Sequence, residues 1–223
     1  MTALLSMDSR YGHNKEHLSF SAIRLWKQNK DAYRRKYYSE EGESISTVYT
    51  QFGKKIAEVL ESRDYTQYPA LEKVPFYSVS EQSVETEIEG VLVKGFLDLY
   101  EPEKYAIGEV KTGIVSKASG PPWTALKVRQ WEQLPFYSLL VKKEFGKVQN
   151  KCHLIWLETY FENSKQKSIS SALKVGRGEL QLTGTIKIFP RVIAEWERKR
   201  MQDDIINVAA EIQEDYATYL KSH

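Results

Sequence analysis

The chain has 223 residues, 41% hydrophobic and 28% charged, which is enough apolar material for one packed domain and excludes a disordered chain. A net charge of +2 and a sequence pI of about 8.4 permit a polyanionic partner without demanding one, since nucleic-acid-binding domains often exceed a pI of roughly 9. The single cysteine, Cys152, excludes an internal disulfide framework and a cysteine-ligated zinc or iron–sulfur centre.

Residues 1–17 read as a polar lead-in without the basic and apolar regions of a signal peptide, and residues 18–223 as a single domain. No stretch reaches the roughly 20 apolar residues of a membrane span. The expected location is therefore the cytoplasm of a bacterial or virus-infected cell. Ser19 or Ser21 is a good N-cap, and a helix is predicted from there through AIRLWKQNKDAYRRKYY to about Tyr38. The acidic SEEGES (39–44) is a loop. A second helix is predicted over roughly 46–62, with Val48, Phe52, Ile56, Val59 and Leu60 as its apolar stripe. Residues 74–111 are rich in Val, Ile, Phe and Tyr and predict strands near 75–80, 84–89, 91–100 and 104–111. A loop, SKASGPP (116–122), precedes a helix over about 124–145. Strands are expected at 152–162 and at 182–189, the latter ending at Pro190. The last helix fills roughly 191–220, with Ile205, Val208, Ile212, Tyr216 and Tyr219 on one face. This order reads as an α/β (α+β) domain with a mixed central sheet flanked by helices.

The segment KGFLDLYEPEKYAIGEVKTG (94–113) carries the chemistry. Glu101-Pro102-Glu103-Lys104 is a turn, because proline suits an early turn position and cannot serve within a sheet. Folding the chain back there sets Asp98 opposite Ile107, with Glu109 as its diagonal neighbour. Side chains two apart on a strand share a face, so Asp98, Glu109 and Lys111 project together while Val110 points into the core and can turn its carbonyl to the same place. Two carboxylates with a carbonyl and water suit Mg²⁺ or Mn²⁺. A lysine beside such an ion can offset charge developing on a phosphoryl group. EVK by itself is common in a chain of this composition, and an exposed charged hairpin face is the plain alternative; the inner-strand character of Leu97, Leu99, Gly108 and Val110 favours a site.

Several motifs follow one another in order. GFLD (95–98), EVK (109–111) and QLPFY (133–137) resemble the GxxD, (D/E)xK and QxxxY signatures of the PD-(D/E)XK nuclease superfamily, in the branch of the RecB nuclease domain and lambda exonuclease. LSFSAIRLWKQNKDAYRRKYY (18–38) is similar to that branch's opening Ser-x-Ser helix, and FGKKIAEVLE (52–61) to its second motif. The resemblance implies a restriction-endonuclease-like core, Asp98 and Glu109 as metal ligands with the Val110 carbonyl, Lys111 as the catalytic lysine, and Gln133 and Tyr137 facing the scissile phosphate. Gln133 and Tyr137, four apart, share a helix face; Pro135 between them is expected to kink that helix. The second motif's histidine falls at Ala57, leaving Glu58 or Glu61 as substitutes, with Glu58 expected to be solvated.

Lys117, Lys127 and Arg129, with Trp123 and Trp131, mix cations and rings as single-strand binding surfaces do, and Lys127 and Arg129 are taken as substrate-binding. Lys30, Arg34, Arg35 and Lys36 are further phosphate candidates. Glu195 to Arg200 reads as a solvated helix surface. His13, His17, His153 and His223 show no metal-ligand spacing, and His153 reads as a core or edge residue. The expected function is a Mg²⁺- or Mn²⁺-dependent DNA exonuclease acting in recombination, repair or replication end-processing. The partners expected are DNA, a recombination protein and further copies of the chain, with no membrane. A site- or structure-specific endonuclease and an inactive nuclease fold used for docking are the alternatives.

Overall fold

The computed structural model describes residues 10–39, 47–104, 106–116, 118–148, 151–162 and 179–222. Most of the acidic loop, Lys117 and His223 lie outside these residues. Five strands form one sheet in the order β1-β2-β3-β4-β5: β1 Val79–Ile88, β2 Val91–Glu101, β3 Ala106–Gly113, β4 Lys151–Phe161 and β5 Leu180–Val192. All neighbours are antiparallel except β3 and β4, so the sheet is mixed as expected. A parallel pair needs a crossover, and the helices between β3 and β4 supply it.

One face of the sheet is covered by α1 Phe20–Gln28, α2 Lys30–Tyr37, α5 Gln133–Phe145 and α6 Glu195–Ser222, the other by α3 Val48–Ser62 and the short turn Pro69–Lys73. The α3 stripe buries Phe52, Ile56 and Leu60 against Leu99, Ile155 and Leu157, while Val48 stays exposed. The face of α6 is as predicted: Ile205, Val208, Ile212 and Tyr216 are buried, and Tyr219 stacks on Tyr216. No helix among the described residues is long and apolar enough to cross a membrane.

The structure departs from the predicted elements in four places. The first helix is two, because Asn29 adopts an extended conformation, gives its N–H to the Leu25 carbonyl and accepts from the Ala32 N–H, ending α1 and opening α2 at once. The helix over 124–145 is also two, α4 Ala125–Arg129 and α5. At that break Arg191 reaches in and donates to the carbonyls of Val128 at 2.8 Å and Trp131 at 2.5 Å. Pro135 is thus the third residue of α5, where no helical partner is needed, and it bends nothing. The first two expected strands are one, β1, which turns into β2 through Glu89 and Gly90, both at positive φ. Finally, β5 runs through Pro190 to Val192, which an edge strand tolerates.

Several charges on the helix layer pair with protein groups. Glu195, Trp196, Lys199 and Arg200 are exposed, as the solvated reading of residues 195–200 expects, but Arg198 is buried, donating to the Ser138 hydroxyl and the Ile193 carbonyl, and Glu197 pairs with Arg191. Arg34 grips Asp215 of α6 with Nε at 2.9 Å and Nη2 at 2.5 Å, and Tyr38 donates to the same carboxylate at 2.9 Å. Lys30 pairs with Glu211.

The Arg34 guanidinium holds the Asp215 carboxyl below the usual range, with Tyr38 helping. A depressed carboxyl stabilises the fold above its unfolded value and loses that contribution as pH falls through the folded one. Asp215→Asn should therefore cost about 1–2 kcal/mol near neutral pH, or roughly 3–6 °C in Tm, for a charged, partly exposed pair. Thermal melts against pH should show the gap between variant and parent closing in acid; a gap constant with pH would remove the charge from the explanation.

Candidate active site

Among the described residues, β2 and β3 pair at three positions: Leu99 with Gly108, Tyr100 with Ile107 and Glu101 with Ala106. The register is two residues from the one expected, since Ile107 faces Tyr100 rather than Asp98. Glu101 stays in the strand because its carboxylate accepts from the Ser78 N–H, the Ser78 hydroxyl and the Glu103 N–H, which allows an acid to be buried there. Beyond Gly108, β3 leaves β2 and follows β4 from Glu109 to Gly113. The upstream part of β2 is flanked instead by Leu18, which exchanges backbone hydrogen bonds with Leu92 and Lys94.

Asp98 sits at the fork. Its Oδ2 accepts the Val110 N–H at 2.7 Å, a side chain taking the place of a strand partner. The alternation of faces breaks at the same level: Leu97 packs in the core under α5, Leu99 in the core under α3. On β1 beside it, Glu81 has a positive φ of 51°. Gly95 lets α5 close on this strand, for a Cβ there would meet the Tyr137 ring at 2.9 Å.

The electrostatics converge on β3. Glu109 is 0% exposed, and among the described residues its carboxylate meets no donor but the Lys111 ammonium. Burial, then the Asp98 charge, pushes the Glu109 carboxyl up to about 8. Burial also raises Asp98, against the pull of Lys111 and the Val110 N–H. For Lys111, burial favours the neutral amine, but Glu109 and Asp98 together outweigh it and hold the ammonium charged. Tyr137 is pushed up by burial and then by Glu109 and Asp98, so it keeps its proton, and its oxygen accepts from Gln133 Nε2 at 2.8 Å.

Two cavities meet here. One, about 480 Å³, lies against α3 and is lined by Glu58, Glu61 and Glu81 as well as Asp98, Val110 and Lys111. The other, about 800 Å³, lies against α1 and α5 and includes Arg24, Trp131, Gln133 and Tyr137 with Asp98 and Lys111. Asp98, Glu109, Lys111, Gln133 and Tyr137 are thus gathered in one place. Glu58 is exposed yet lines the first cavity, beside Ala57 and Glu61. Lys127 donates to the Pro122 carbonyl, and Arg129 lines a separate depression with Arg191 and Trp196; neither lines the cavities beside Lys111. His153 is half-buried on β4 and shares a 2.7 Å hydrogen bond with the Tyr77 hydroxyl.

Sequence reasoning missed Glu81 and Arg24. Glu81 lies in an alternating polar strand, SEQSVETE, where nothing marks one acid among several. Arg24 follows Ser21 by one helical turn, which is a signal only once the helix is known to face the site.

No three His, Cys, Asp or Glu side chains among the described residues form a ready cation cage. The donor set still fits a hard divalent ion. A buried carboxyl group answered by one lysine, beside a second carboxylate, has free lone pairs that a cation would take, and the backbone adds carbonyl oxygen.

No family model matches the chain, and no curated protein matches it in sequence. Solved structures do align with it. A provisionally assigned exonuclease from Eubacterium rectale superposes with a TM-score of 0.55 at 13% identity, over 91% of this chain and 83% of that one. A phage-related exonuclease from Haemophilus somnus 129PT aligns with a TM-score of 0.48 at 13% identity, over 91% and 82% of the two chains. The mixed five-stranded sheet with its flanking helices is the fold of the first of these structures.

Proposed function

We propose that the protein is a metal-dependent deoxyribonuclease, an exonuclease that hydrolyses phosphodiester bonds at DNA ends in recombination, repair or replication. The observation that carries this reading is Glu109: a fully buried carboxylate next to Asp98, answered among the described residues only by Lys111. Carboxyl groups perturbed in this way by burial and a second carboxylate cluster at functional sites. The fold shared with a protein described as an exonuclease supports the same reading.

Asp98, Glu109 and the Val110 carbonyl would hold Mg²⁺ or Mn²⁺. Such an ion, when bound, acidifies water and polarises a phosphoryl oxygen. The chain's own groups do the rest. Lys111, kept cationic by its two carboxylate neighbours, offsets the charge that develops on the phosphoryl group as water adds and the leaving oxygen departs. The Tyr137 oxygen accepts from Gln133, which turns its hydroxyl hydrogen outward as a donor for a phosphate oxygen. Gly95 and the close packing of α5 fix that donor against β2.

Three outcomes test this. Mn²⁺ should raise the melting temperature of the parent protein, by the equivalent of about 2.7 kcal/mol at a hundredfold excess over Kd, and leave Glu109→Gln unmoved. The same variant should melt no lower than the parent in chelator, because the amide puts no charge beside Asp98. A metal-dependent shift that survives Glu109→Gln would put the ion elsewhere.

Asp98→Ala should fold and lose divalent-dependent cleavage. Lys111→Ala should lose roughly a hundredfold or more in kcat with KM little changed, since its charge acts on the transition state. A loss confined to KM would make Lys111 a phosphate clamp.

Linear DNA should shorten progressively while covalently closed circles persist, with a rate that falls steeply with salt on every sequence. Circles nicked as fast as linear DNA shortens would replace the exonuclease with an endonuclease.

A further inference from the structure

The larger cavity has a composition that hydrolysis alone does not require. Phe96, two residues before Asp98 on β2, is 50% exposed at its edge, although its neighbours Leu97 and Leu99 are buried. The Lys94 ammonium lies 5.9 Å from the centre of that ring and pairs with Glu85. Across the cavity, the Arg24 guanidinium lies 4.7 Å over the Trp131 ring, which Trp123 meets edge-on at 5.0 Å. A half-exposed ring at Phe96, with further rings and cations alternating around it, matches two features of a nucleotide chain at once: flat bases that stack and phosphates that attract charge. Along a duplex the base faces are stacked on one another and only base edges line the grooves, so an exposed phenyl ring finds free base faces chiefly on unpaired nucleotides. The volume, about 800 Å³, lies within the roughly 300–1,000 Å³ of sites that enclose small organic groups.

We infer that this cavity receives unpaired nucleotides, so that the DNA presented to Asp98 and Lys111 is single-stranded, with a base on Phe96 and phosphates near Arg24 and Lys94. The inference rests on the nuclease reading for its chemistry, but its binding part stands apart from it. Phe96 acts by stacking, and it takes no part in holding a metal.

The test uses the full-length protein in chelator and follows the fluorescence anisotropy of three labelled probes of equal length: oligothymidylate, an abasic oligomer and a blunt duplex. Oligothymidylate should bind tightest. Phe96→Ala should weaken it about tenfold, the worth of one stacked base, while leaving the abasic oligomer and the melting temperature unchanged. Phe96→Trp should restore the affinity. Equal losses for the thymidylate and abasic probes, or a duplex bound as tightly as the single strand, would overturn the inference. A second arm adds Mn²⁺ and measures cleavage. Faster cleavage of the single strand than of the blunt duplex supports the inference. No cleavage of either probe, with Phe96-dependent binding intact, defeats the nuclease reading and leaves the single-strand surface standing.

Discussion

The parting of β2 and β3 at Leu99 and Gly108 is the feature on which the site depends. A continuous antiparallel pair would fill the space between the strands with backbone hydrogen bonds and leave no opening. Here the pairing stops, and the Val110 N–H that would have faced a carbonyl is taken by the Asp98 carboxylate. One acidic side chain therefore satisfies a buried donor and is itself fixed in place. Gly108 belongs to the same device: a Cβ there would stand 3.0 Å from the Leu99 Cβ and 2.9 Å from the Tyr77 ring, so a side chain would push the two strands apart too early.

Stability and chemistry pull against each other on β3. Glu109 is buried where a leucine would pack, next to a second carboxylate, and burial pushes its carboxyl up to about 8. The fold offsets this elsewhere. A continuous aromatic and aliphatic core under α1, α5 and α6 holds the helix layer to the sheet, and the Arg34–Asp215–Tyr38 cluster and the buried Arg198 tie the helices of that layer to one another. Such a division leaves the carboxylates free to be arranged for a ligand rather than for the fold.

Much of this was legible in the sequence, and the reasons differ by element. α3 and α6 were readable because their apolar stripes keep helical spacing over several turns and meet a single surface. The grouping of Asp98, Glu109 and Lys111 was readable because GFLD and EVK flank a proline turn. The register was not, because it hangs on Glu101 finding three donors in Ser78 and Glu103, a contact between segments that no local pattern encodes. The breaks at Asn29 and after Arg129 were missed for a similar reason. An asparagine within a helical pattern is neutral until its side chain caps the next turn, and the second break is held by Arg191, some sixty residues away on β5. Whether Lys30 and Arg34 meet phosphate or protein also depended on α6, whose Glu211 and Asp215 claim them.

The two cavities beside Lys111 differ in sign, and that asymmetry gives the site a direction. Against α3 the walls carry four acids, Glu58, Glu61, Glu81 and Asp98, against Lys54 and Lys111, a net acidic surface that disfavours a phosphate chain and attracts cations. Against α1 and α5 the walls carry Arg24, Lys94 and aromatic rings, which attract the chain. A strand entering from the α1 side would meet Lys111 and Asp98 before it met the acids of α3. The cation required by the nuclease reading would reach the same two residues from the opposite side. Lys111 stands at the boundary, the one group lining both spaces that is positive, and its ion pair with Glu109 holds it there. On the nuclease reading, the acidic wall would therefore do more than attract a cation: by disfavouring one route for a polyanion, it would leave the aromatic cavity as the route by which a phosphodiester reaches Lys111.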